Sequence, residues 1–122
     1  MNMRALGFAL SLILAFTVSM PARQDPAHRQ ADSGAAWLEL GQSMEKMHDG
    51  MASIKPSGNS DVDFVRLMLP HHQAAIDMAK TELLYGKDPQ MRRLAQEIIT
   101  DQQSEIELMQ LWLKQHESSP KR

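Results

Sequence analysis

Methionine and histidine are the residues of this sequence whose spacing could do chemistry. Met44-x-x-Met47-His48-x-x-Met51 places four donors at i, i+3, i+4 and i+7, the spacing of a single helical face. Met68-x-x-His71-His72 follows, with Met78 two turns beyond His71. Thioether sulfur is soft, uncharged and immune to protonation, and it selects Cu(I) or Ag(I) over Zn(II), Mg(II) or Ca(II). Imidazole adds affinity and takes either copper oxidation state. The chain holds ten methionines in 122 residues; Met1, Met3 and Met20 precede the rest, and seven fall between Met44 and Met109. A methionine stripe also serves as flexible core filler, and each methionine alone reads that way. Two such motifs, enriched in histidine, on successive segments point beyond packing to a soft-metal site.

Other chemistries find less support. Without cysteine there is no disulfide, thiolate ligand or lipidated thiol. Glu45-x-x-His48 is one Glu-x-x-His motif, whereas a di-iron bundle needs two of them and two further glutamates. His71-His72 is not the His-Glu-x-x-His of a zinc protease, and no serine sits in a nucleophile motif. The expectation is therefore a binding protein and not an enzyme. A formal charge of −2 favours neither nucleic acid nor an anionic membrane as partner.

The elements that must position these donors read as helices. Arg4 followed by the uncharged run Ala5 to Val18 has the form of a signal peptide, since roughly 14 apolar residues fall short of the ~20 that span a bilayer. Residues 1–22 are assigned to that signal, which implies a periplasmic or secreted protein with no membrane association after cleavage. Residues 23–34 read as a flexible lead-in, 35–116 as the helical domain and 117–122 as a polar tail. A first helix is expected from Ala35 to Ile54, then a loop at Lys55 to Ser60. A second helix begins at Ser60, where Ser60-x-x-Asp63 resembles a capping box, and ends at Tyr85, with Gly86 as a left-handed stop. Pro70 should kink it. Asp88-Pro89 opens a third helix that runs to about His116.

On helical wheels each segment carries a stripe. The first holds Trp37, Leu40, Met44, Met47, His48 and Met51. The second holds Phe64, Met68, His71, Ala75 and Met78, with His72 at its edge. The third holds Met91, Leu94, Ile98, Gln102, Glu105, Met109, Trp112 and His116. Three stripes imply a bundle in which these faces meet. Glu105 then points inward and needs a partner, because an unpaired buried carboxylate costs several kcal/mol; His71 or His72 is the candidate.

Asp61-x-x-Phe64-x-x-x-Met68-x-Pro70-His71-His72-Gln73-x-Ala75-Ile76-x-Met78-Ala79, followed by Leu94-Ala95-x-x-Ile98-Ile99-x-x-Gln102-x-x-Glu105-Ile106-x-x-Met109-x-x-Trp112-Leu113, resembles the domain-of-unknown-function family numbered 305. The resemblance implies an exported all-α, antiparallel, ferritin-like helical bundle and a link to periplasmic copper resistance. Carried over by position, it implies metal ligands at Met68, His71, His72 and Met78 and at Met44, Met47, His48 and Met51; Glu105 and Met109 also match the family pattern. The function expected is sequestration or buffering of Cu(I), with Ag(I) also accepted, in copper tolerance or homeostasis. The competing expectation is a metal-free interaction module with a methionine-rich partner surface. With three main helices, the bundle has the option of completing itself as a homodimer.

Overall fold

The computed structural model of the protein describes residues 26–117, so the segment read as a signal peptide and residues 118–122 of the tail lie outside the described residues. It is all-α: α1 (Pro26–Ala52), α2 (Ser60–Tyr85) and α3 (Pro89–Glu117), joined by short connections and with no strand among the described residues. The helices form an antiparallel bundle in which α1 and α3 each pack on α2 but make no close backbone approach to each other.

The helix ends follow from local chemistry. α1 starts at Pro26, ahead of the expected Ala35; proline suits the first helical position because its missing N–H would have no partner there, and the stretch to Gly34 continues the helix. α2 is capped by Asn59 rather than Ser60: the Asn59 side-chain oxygen accepts from the N–H groups of Asp61 and Val62 at 3.0 and 3.3 Å. Asp63 reaches past this cap and accepts the Ser57 N–H at 2.8 Å, so it closes the preceding loop instead of a capping box. α2 runs through Pro70 as one helix.

Gly86 ends α2 with φ −67° and ψ 144°, an extended conformation rather than the expected left-handed one. Glycine is needed there for space: a Cβ would stand 2.6 Å from the Glu82 carbonyl oxygen. Asp88 caps α3 as expected, accepting from the Gln90 and Met91 N–H groups at 2.9 and 3.0 Å.

Side-chain pairs fix the register. On the α1 side of α2, Glu39 accepts from Tyr85 at 2.8 Å and from Thr81 at 3.3 Å. One end further on, a Cβ on Gly50 would lie 3.2 Å from the Pro70 Cβ, so this glycine lets the two helices approach closely. On the α3 side, Arg66 Nε donates to Glu117 at 2.8 Å and Arg92 donates to the Leu83 carbonyl at 2.6 Å. The buried apolar residues are small or β-branched (Val62, Val65, Ala74, Ile76, Ala79, Ala95 and Ile106), with Met47 from α1. Among the described residues no large side chain is fully enclosed.

Candidate metal centre

His72 is the centre of the best-defined cluster. It sits on the α3-facing side of α2, buried, with 11% of its side chain exposed. Its Nδ1 lies 2.9 Å from the Met68 carbonyl oxygen, so this nitrogen carries the proton and donates one turn back along the helix. That bond orients the ring and leaves Nε2 aimed at α3, the arrangement by which proteins present an imidazole nitrogen to a partner or a metal. Nε2 meets Glu105 Oε2 at 2.6 Å. Gln102 donates more weakly to the same oxygen at 3.5 Å.

Glu105 therefore has the imidazole partner expected of it, and His72 is the one that serves. It is not buried, however: 55% of its side chain is exposed, because its helical position lies on the rim of the α2–α3 contact. The adjacent histidines do not act together. Neighbouring helical residues diverge by ~100°, and while His72 turns into the bundle, His71 is exposed.

The antiparallel register brings further donors to this level. The His72–Glu105 pair sets Met68 level with Met109, one turn away on the facing helices. Both methionines are half-buried, and Met109 borders a depression with Phe64, Val65 and Trp112. From the other side, Gly50 against Pro70 places Met51 and Met47 near the same layer; Met51 is half-buried and Met47 is buried. Met44 and His48 are exposed on α1. Met78 lies two turns away, in an open apolar groove with Leu40, Met91, Leu94 and Ile98.

The three sequence stripes thus do not meet in a closed interior. Most of their members border the open side of the bundle, because three helices in a row leave one flank of α2 uncovered. Among the described residues no three histidine, aspartate or glutamate side chains gather in a way that could hold a metal ion. A site in this layer would depend on sulfur donors added to the His72–Glu105 pair.

The family model for a domain of unknown function (DUF305) matches residues 17–120. The chain belongs to the DUF305 family. A stretch of 49 residues, 40% of the chain, is 43% identical to the uncharacterized protein L153 of Acanthamoeba polyphaga mimivirus. That stretch spans about a third of the viral protein's length, 32%. The Met-x-Pro-His-His signature of this DUF305 chain therefore sits at the α1–α2 crossing through Pro70 and at the α2–α3 contact through His72.

Sequence reasoning did not single out Glu39 or Gly50, which set the α1–α2 register. A glutamate in Leu38-Glu39-Leu40 reads as a solvated position. Its one signal is that it lies one turn before Ser43, which is buried and donates to the Glu39 carbonyl.

Proposed function

We propose that this DUF305 protein binds a soft metal ion, Cu(I) foremost and Ag(I) as an analogue, and buffers or sequesters it in copper homeostasis outside the cytoplasm without catalysing a reaction. The observation that carries this reading is the His72 imidazole. Its Nδ1–H is held by the Met68 carbonyl, its Nε2 meets Glu105 on α3, and the same register sets Met68 and Met109 level with each other one turn away on the facing helices. Soft, uncharged thioethers one turn from an oriented imidazole suit a monovalent soft cation. Glu105 supplies a counter-charge and an oxygen donor beside the imidazole. Met47 and Met51 border this layer from α1, while Met44, His48, His71 and Met78 form an outer set along the open flank.

Titration with Cu(I) against a competing chelator tests the reading. His72→Ala, and separately Met68→Leu with Met109→Leu, should each weaken binding at least about tenfold, or roughly 1.4 kcal/mol. Unchanged affinity in both variants sinks the site assignment, and a wild-type chain that takes up neither Cu(I) nor Ag(I) sinks the function. The second reading, a metal-free interaction module, draws support from the apolar side chains exposed along the groove. It predicts normal partner binding in chains stripped of metal.

A further inference from the structure

α2 is covered on its α1 side and on its α3 side, and the flank between them is a groove lined by Leu40, Met78, Met91, Leu94 and Ile98, with three alanines and Glu82. Helical spacing continues this flank along α2 through Ala75, His71 and Phe64, and along α1 through Met44, His48 and Trp37. Large apolar side chains stand open at or beside it: Trp37 is 79% exposed, Phe64 61% and Leu108 66%. Met44, Met91 and Leu94 are exposed along it as well, so six large apolar side chains stand on a face that no helix among the described residues covers.

The two walls of the groove differ in charge. The α1 stripe carries His48 and no carboxylate, and the α3 stripe carries Glu105, with a basic group only at its far end, His116. Both residues stand at one level: Gly50 opposite Pro70 places His48 beside the His72 layer, and His72 bonds Glu105 directly. A two-fold axis running along the groove would lay α1 of one copy over α3 of the other at the same height. His48 would then face Glu105 of the other copy, twice.

We propose that a second copy of this chain closes the groove in this way, forming an isologous six-helix bundle whose interior gathers the outer donors Met44, His48, His71 and Met78. The gathering of donors rests on the metal reading above; the interface itself does not. The apolar flank supplies the attraction, and the imidazole–carboxylate pairs fix which wall meets which.

Sedimentation of the metal-free chain over a range of concentrations should show a dimer. Phe64→Asp should convert it to a monomer with unchanged helical circular dichroism. Leu108→Lys, at a second exposed position, should weaken the dimer if Phe64→Asp disturbs folding. His48→Glu, which sets two like charges against each other, should raise the dimer dissociation constant at least tenfold, and His48→Glu combined with Glu105→Gln should recover part of it. A monomer at every concentration, with or without Ag(I), overturns the proposal, as does a dimer indifferent to all these substitutions. A dimer that binds no metal removes the copper reading and keeps the interface, whereas a metal-binding monomer does the reverse.

Discussion

At the residue scale, the two adjacent histidines should separate in experiment. His72 holds two hydrogen bonds and is buried, whereas His71 is exposed. Replacing His72 by alanine leaves the Met68 carbonyl and Glu105 without their shared partner. Water reaches the exposed carboxylate, so the loss should be about 1 kcal/mol. His71→Ala should change stability by less than about 0.5 kcal/mol; urea unfolding of the two variants checks the contrast. Asp63 offers a pH-dependent case. Hydrogen bonding by Ser57, its side chain foremost and its backbone N–H next, holds the Asp63 carboxyl below its ordinary value, and Arg66 adds to this. The folded state thus keeps the charged form to lower pH than the unfolded chain, whose aspartates titrate near ~3.9. The resulting stability is present above that pH and is lost as pH falls through the lower folded value. Asp63→Asn should therefore melt below wild type at neutral pH, and the gap should close in acid. Equal melting differences at both pH values would remove Ser57 from the account.

At the element scale, the boundaries rest on side chains that can be removed one at a time. Asn59→Ala takes away the acceptor for two orphan N–H groups at the start of α2 and should cost about 1 kcal/mol. Ser60→Ala should cost less, because Ser60 is not the cap. The α1–α2 crossing depends on Gly50. Alanine there asks the Pro70 Cβ to yield by a few tenths of an ångström from 3.2 Å, while gaining up to ~1 kcal/mol of helix propensity. Leucine has no such room and should destabilise by roughly 1–3 kcal/mol. If Gly50→Leu were as stable as wild type in denaturant melts, the close approach of α1 to α2 would not be what holds this corner.

At the scale of the whole molecule, an open three-helix layer with no large enclosed side chain among the described residues has a modest core, so whatever binds the folded chain should raise its melting temperature visibly. A ligand specific to the folded state stabilises by ~2.7 kcal/mol at a hundredfold excess over its dissociation constant. The melting temperature should climb with free Cu(I) or Ag(I) and stay flat with Mg(II). A flat response to every metal would leave only the helical scaffold and its groove.

The sequence by itself determined the three helices, the Asp88–Pro89 start of α3, the DUF305 membership and the pairing of Glu105 with one of two adjacent histidines. These follow from short-range rules: periodicity, capping and the chemistry of single side chains. Which histidine answers Glu105 was not legible, because His71 and His72 differ by only one helical step and the choice depends on the rotation of α2 against α3. The tertiary structure decided that rotation, through the small buried residues of the α2–α3 contact and the register pairs at its two ends. It also turned the methionine stripes toward an open flank. A wheel records which residues share a face but not whether a neighbour covers it, and three helices placed side by side leave one face of the middle helix bare.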